Sequence, residues 1–227
     1  MKAFHRIALS ALGLILAPQA AFAGVLDDLP LAERLLVDAG TPLVKSREVA
    51  GSSWPAVSVY QIVNTTPEKA TAVFTDYGQQ SSYLKDCCGV VVSRVLDPAI
   101  GGDLRAQRVL YEIEVPVVSN EQYELREEMS RGEDGSYRVI WAKVSAGGRS
   151  DNILGRAVFE SYKDRTLFFY YNYTKMTMAG AGLFAGESVR RTQETVTAMA
   201  RRMEQESAAP GLRLEANVAR VRAALGR

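Results

Sequence analysis

The stretch LFAGESVRRTQETVTAMARRMEQE, Leu183–Glu206, decides the fold. Ala185, Val189, Thr192, Val196, Met199 and Met203 recur at three- and four-residue spacing, and Arg190, Arg191, Glu194, Arg201, Arg202 and Glu204 fall elsewhere on the wheel. This spacing predicts an amphipathic helix of about seven turns. Its apolar stripe is lean, with only Val and Met as sizeable side chains. The residues before it, from Gly89 onward, read as strand after strand. A long helix that closes an antiparallel sheet lays its stripe on one sheet face. What fills the space between them, side chains or a ligand, is the functional question.

Working outward, the strands follow from alternation. Val57–Val63 is a β-branched, aromatic first strand. Thr66-Pro67-Glu68 then supplies a cap, a first-turn proline and an acid at the positive end of a helix carrying Ala70, Val73, Phe74 and Tyr77 on one side. That helix is expected to stop near Gly78, with Gln79–Leu84 as a second short turn or helix. Val90–Leu96 ends at Asp97-Pro98, and Gly101-Gly102-Asp103 turns into Leu104–Val115. There Val109, Tyr111, Ile113, Val115 and Val117 alternate with Arg108, Glu112 and Glu114, the mark of a sheet with one buried side; Pro116 belongs at the strand's end. Glu121–Met129, Ser136–Ser145, Leu154–Tyr162 and Thr166–Met176 follow, separated by tight turns. The expected fold class is α+β: a curved antiparallel sheet of about six to seven strands wrapped around a long C-terminal helix, with two short helices after the first strand. Asp27–Ala39 reads as a short helix, Thr41–Pro55 as a lead-in loop, and Leu212–Leu225 as a helical tail. The expected divisions are 1–23, 24–53, 54–206 and 207–227.

Residues 1–23 read as a secretory signal. Lys2 and Arg6 give a positive start, and Ile7–Ala17 is an uncharged apolar run too short to span a bilayer. Ala21-Phe22-Ala23 places small residues where a signal peptidase cuts, so cleavage is expected before Gly24 and the protein is expected to be periplasmic or secreted. Loss of Lys2 and Arg6 lowers Lys+Arg from 27 to 25 against 26 Asp+Glu, a mature net charge of about −1. That argues against nucleic acid as a partner. No later run is apolar enough for a transmembrane helix. The single histidine, His5, leaves with the leader. Ser-His-Asp catalysis, Cys-His catalysis and His-ligated metal sites are therefore excluded from the mature chain. Cys87 and Cys88 are adjacent, too few for a closed zinc site, and read either as a strained bridge or as two small thiols. The paired glycines sit in no phosphate-binding pattern. No metal, cofactor or catalytic residue is assigned.

PEKATAVFTDYGQQSSYL, Pro67–Leu84, with Asp76-Tyr77 closing the apolar helix and Tyr83 a few residues on, resembles the START-like (SRPBCC) superfamily. GVVVSRVL, the meander and the closing helix agree with it in order and length, from about Trp54 to Glu206. That superfamily includes lipid-transfer START domains, polyketide cyclase/dehydratase-like proteins and coenzyme Q-binding START-like proteins. The resemblance implies a helix-grip fold and a cavity between sheet and C-terminal helix that takes a lipid or other hydrophobic small molecule, with transient membrane contact. The residues expected to line it are Tyr111, Ile113, Tyr123, Leu125, Glu127, Trp141, Phe159, Tyr171, Val189, Val196 and Met199. A core simply filled by these aromatics is the competing reading. On the last strand both Phe169, Tyr171, Tyr173 and Phe168, Tyr170 qualify as the inward set. Glu127 shares the face of Tyr123, Leu125 and Met129; a rim charge is its first reading and a cavity acid its second. Arg156 and Lys143 are candidates to pair with it or with a ligand. Binding or carriage is the leading expectation; a cyclase/dehydratase-like enzyme and a protein-interaction module are the alternatives.

Overall fold

A computed structural model describes residues 24–96, 105–115 and 119–226. The expected leader, the turns at Asp97-Pro98 and Gly101–Asp103, and Pro116 and Val117 lie outside the described residues. Element order is α1 (Leu31–Asp38), β1 (Leu43–Arg47), β2 (Ala56–Val63), α2 (Pro67–Phe74), α3 (Tyr77–Cys88), β3 (Val90–Val95), β4 (Ala106–Ile113), β5 (Glu121–Arg131), β6 (Tyr137–Lys143), β7 (Ser150–Tyr162), β8 (Arg165–Met176), a 3₁₀ turn (Ala181–Phe184), α4 (Ala185–Ala208) and α5 (Leu212–Ala224).

The strands form one open, curved antiparallel sheet in the order β1-β2-β8-β7-β6-β5-β4-β3. The order has a simple cause. After β2 the two short helices carry the chain to the far edge, where β3 starts. Hairpins then return it strand by strand until β8 pairs with β2, Val63 opposite Thr166 and Val57 opposite Asn172. β8 therefore delivers α4 over β2 and β8, where it also packs on α2 and α3.

The sheet has eight strands among the described residues, more than expected. The added one is β1, within the stretch expected to be a loop. Lys45, Ser46 and Arg47 in it are exposed because β1 is an edge strand, and edge strands carry charge. A polar edge strand has little of the alternation that marks the others. The helix expected near Gln79–Leu84 is also longer. It runs to Cys88 and stops at Gly89, whose φ of 73° forms a left-handed cap. α2 begins as read from the sequence, with the Thr66 side chain accepting a hydrogen bond from Lys69 N and Pro67 in the first turn.

Two cores flank the sheet. On the inner face, Val57, Val59, Val109, Val139, Ala157, Phe159 and Phe168 pack against α2, α3, α4 and α5. α5 docks on α2 through Leu214, Val218 and Val221, and Arg222 pairs with Glu68 at 2.6 Å. On the outer face, Tyr60, Ile62, Val158, Leu167 and Phe169 are covered by Val25, Leu26, Leu29 and Val37 of the N-terminal segment.

Candidate functional site

Under α4 the inner face is solid at one end and hollow at the other. At the solid end Phe159 and Phe168 are fully buried, stacked at 5.0 Å, and capped by Phe74 at 5.5 Å from Phe159. Val196, Met199 and Met203 of α4 close this layer. At the other end lies a cavity of about 230 Å³, open on one side. Its floor is Tyr111, Tyr123, Leu125, Glu127, Trp141 and Tyr170; its roof is Ser188, Thr192 and Thr195 of α4. The roof is thin because these side chains are small. Thr192 and Thr195 return their hydroxyls to the carbonyls of Ser188 and Arg191, each at 2.8 Å, so neither needs a partner in the cavity.

The aromatic floor is held by backbone register. Trp141 lies opposite Gly155, where a Cβ would meet the indole ring and the Tyr171 carbonyl at 2.4 Å. Only glycine lets the indole lie flat on the strand. Its Nε1 donates to Asn172 Oδ1 at 3.3 Å and its ring tilts against Tyr170 at 5.1 Å. Tyr111 and Tyr123 stack at 5.9 Å on neighbouring strands.

The polar exception is Glu127, 4% exposed and part of the cavity wall. The single Tyr111 hydroxyl proton is shared between Gln80 Oε1 at 2.9 Å and Glu127 Oε1 at 3.2 Å. Gln80 in turn is fixed by donating from Nε2 to Phe74 O at 2.9 Å. Oε2 of Glu127 is buried with no hydrogen-bond partner among the described residues. Burial raises this carboxyl to about 7, against the opposing pull of the Tyr77 and Tyr111 hydroxyls beside it. The hydroxyls of Tyr77, Tyr111, Tyr123 and Tyr170 are all pushed upward, first by burial and then by Glu127 or one another. The floor tyrosines are thus neutral near pH 7, and the one carboxyl among the floor residues is held well above the usual carboxylate range by burial.

The mouth is framed by Trp54, Met178, Phe184, Glu187 and Arg191. Trp54 Nε1 donates to Ala181 O at 2.8 Å, tying the lead-in loop to the turn before α4. Arg191, the lining cation among the described residues, is engaged on both sides: its Nε donates to Glu187 at 2.8 Å and its Nη1 to Glu114 O at 2.9 Å. Arg190 and Arg191 hold the Glu187 carboxyl down at about 2. Leu183, beside Phe184, is 88% exposed.

The residues singled out from the sequence divide. Tyr111, Ile113, Tyr123, Leu125, Glu127 and Trp141 come together on the cavity wall. Phe159, Val196 and Met199 are instead in the solid end, and Val189, off the cavity wall, packs against the inner-face core as a whole. The stripe of α4 that looks most apolar is the part that needs no ligand. Tyr171 is on the other side of the sheet, packed with Tyr162 and Leu43 in the outer core; Tyr170 is the inward residue. β8 is buried on both faces, so alternation alone left both sets open. Glu127 is buried rather than at the rim. Arg156 stands on the outer face over the Phe169 ring at 5.3 Å, and Lys143 is taken up by Gly147 O and Ser150; neither pairs with Glu127. Sequence reasoning missed Gln80, Trp54, Thr195 and Glu121. Glu121 Oε1 accepts from Ser150 N at 2.9 Å and Arg149 N at 3.0 Å, and it shares the parity of Tyr123, which was the available signal. Cys87 and Cys88 are bonded to each other, Cys88 against the cavity and Cys87 exposed.

No protein-family model matches the chain, and no curated protein matches it. Solved structures do. A STAR-related lipid transfer protein from Xanthomonas axonopodis superposes with a TM-score of 0.61 at 15% identity, over 72% of this chain and 94% of that one. Human StAR-related lipid transfer protein 5 gives 0.59 at 11% identity, over 73% and 83%. The Zhui aromatase/cyclase from Streptomyces sp. R1128 gives 0.55 at 13% identity, over 69% and 97%. At these identities the likeness is one of architecture. The chain has a START-like, helix-grip fold.

Proposed function

We propose that this chain binds and carries a hydrophobic small molecule in the cavity under the N-terminal half of α4. One observation carries the proposal: an aromatic floor left uncovered by a roof of serine and threonine. The START-like fold and its lipid-transfer relatives support the same class of ligand. Size sharpens it. An apolar cavity of about 150 Å³ holds benzene, and drug-sized sites run from about 300 Å³. A volume of about 230 Å³ suits a bicyclic ring or one short alkyl chain, with any larger body protruding through the mouth. Charge sharpens it further. The lining cation, Arg191, is already engaged, and the wall carries Glu127, so an anionic head has no counter-charge deep inside. A head that donates a hydrogen bond, an alcohol or an amine, matches the orphaned Glu127 Oε2 once the carboxyl turns about its soft terminal torsion.

Calorimetry with 2-(1-naphthyl)ethanol and 1-naphthylacetate tests this. Saturable binding of the alcohol at one site, with the carboxylate much weaker, is expected. Binding of neither contradicts carriage, and equal binding contradicts the role given to Glu127. Native mass spectrometry of gently purified protein is the companion test, expected to show a bound apolar species of unchanged mass.

A second reading, proton-transfer catalysis on an apolar substrate, is favoured by Glu127 alone: a buried acid near neutrality beside a tyrosine suits general acid–base work. A bound species that is converted by the wild type and retained unchanged by Glu127→Gln favours it.

We also propose export, with cleavage before Gly24, on the basic start, apolar run and Ala21-Phe22-Ala23. Loading from a membrane surface through the mouth is supported by the exposed Leu183 beside Phe184.

A further inference from the structure

The first described residues do more than lead into α1. Val25, Leu26 and Leu29 cover the outer sheet face, and Asp27 N bonds back to Gly24 O at 2.7 Å. This turn presents its backbone to Glu160 of β7. Val25 N–H is shared between Glu160 Oε1 and Oε2 at 3.1 and 3.0 Å. A point one bond from the Gly24 Cα, where a Cβ would stand, is 3.5 Å from both Glu160 Oε2 and Asp27 Oδ2. By covalent geometry the Gly24 nitrogen is about 2.5 Å from that point, hence within about 6 Å of both carboxylates. Among the described residues Arg138 is the cation that acts on Glu160; it is also in an ion pair with Asp134 at 3.6 Å, and Asp27 and Asp134 add negative charge around Glu160. Burial raises its carboxyl, only partly offset by the Val25 N–H.

We propose that Glu160, with Asp27, is the receptor for the α-ammonium group created when the chain is cut before Gly24. This rests on the export reading above. Before cleavage residue 24 presents a neutral amide. Hydrolysis of the Ala23–Gly24 bond places a positive charge at the same spot, and glycine lets it rotate onto the carboxylate without a side chain in the way. An opposite charge within about 4–6 Å favours the ionised form of both partners. Processing thereby locks the N-terminal segment onto the outer core, so that the exported chain is more stable than its precursor. The site asks only that residue 24 be the first and be small.

The test compares the chain Gly24–Arg227 with its Nα-acetylated twin in thermal unfolding at pH 7. A fall of about 2–4 °C on acetylation is expected, the shift that about 1 kcal/mol makes in a chain of this size. In a Glu160→Gln background the two should melt together. Equal melting in the wild-type background, or a difference that survives Glu160→Gln, overturns the proposal. The mass of the protein recovered from a periplasm separates this from failure of the reading beneath it. A chain beginning elsewhere removes both; a chain beginning at Gly24 with no acetylation effect removes only the receptor.

Discussion

Toward its C-terminal end α4 meets the sheet with Val196, Met199 and Met203, packed with Phe159, Phe168 and Phe74. Two turns earlier the same helix offers Ser188, Thr192 and Thr195 to an equally aromatic floor, and about 230 Å³ stays empty. The sheet face is comparable at both ends. The difference is made by the helix, through side-chain volume at successive turns. A long helix can thus serve as core at one end and as the thin roof of a cavity at the other.

The largest expected effect breaks the solid end. Phe159→Ala removes a fully buried ring between two others and is expected to cost about 3–5 kcal/mol in denaturant unfolding. A much smaller loss means the solid end is not the stabilising one. Next comes the wall carboxyl. Glu127 rises from 4.5 to about 7, so the folded state holds a proton that the unfolded chain releases between those values. Stability is therefore full below about pH 4.5 and falls as pH rises through about 7, by roughly 3 kcal/mol once Glu127 is ionised. The tyrosines facing it, Tyr77, Tyr111, Tyr123 and Tyr170, stay neutral throughout. Glu127→Gln should flatten the profile between pH 5 and 8, and an unchanged slope contradicts burial as the cause.

Gly155→Ala forces the Trp141 ring off the floor, at about 1–3 kcal/mol. A shift in tryptophan emission with loss of ligand binding is the expected signature, and unchanged emission argues against the close seat. The smallest effect on stability sharpens the contrast most. Thr195→Leu fills part of the hollow with methyl groups and should change stability by no more than about 1 kcal/mol while weakening binding.

The ordinary rules of pattern made the fold legible. Alternation in Val109–Ile113, Tyr123–Met129 and Tyr137–Trp141 marked the inner face, and Thr66-Pro67 marked α2. Six of the eleven expected lining residues are on the cavity wall because they share those strands. Val196, Met199 and Tyr171 were lost for two physical reasons. Hydrophobic periodicity identifies what a helix buries, so it selected Val196 and Met199 and passed over Thr195, whose small size is what leaves room. And β8 is apolar on both faces, since the N-terminal segment supplies an outer core; Tyr170 and Tyr171 are indistinguishable until that cover is seen. Edge strand β1 escaped for the opposite reason, having too little apolar content to alternate.

The central claim is that the hollow under the first half of α4 is a binding site and the rest of the interface is core. Calorimetric titration of 2-(1-naphthyl)ethanol into the wild type and into Thr195→Phe, whose ring would occupy the hollow, tests it most directly. One saturable site in the wild type and none in a folded Thr195→Phe is the predicted result. Equal binding by both chains, or none by the wild type, would contradict it.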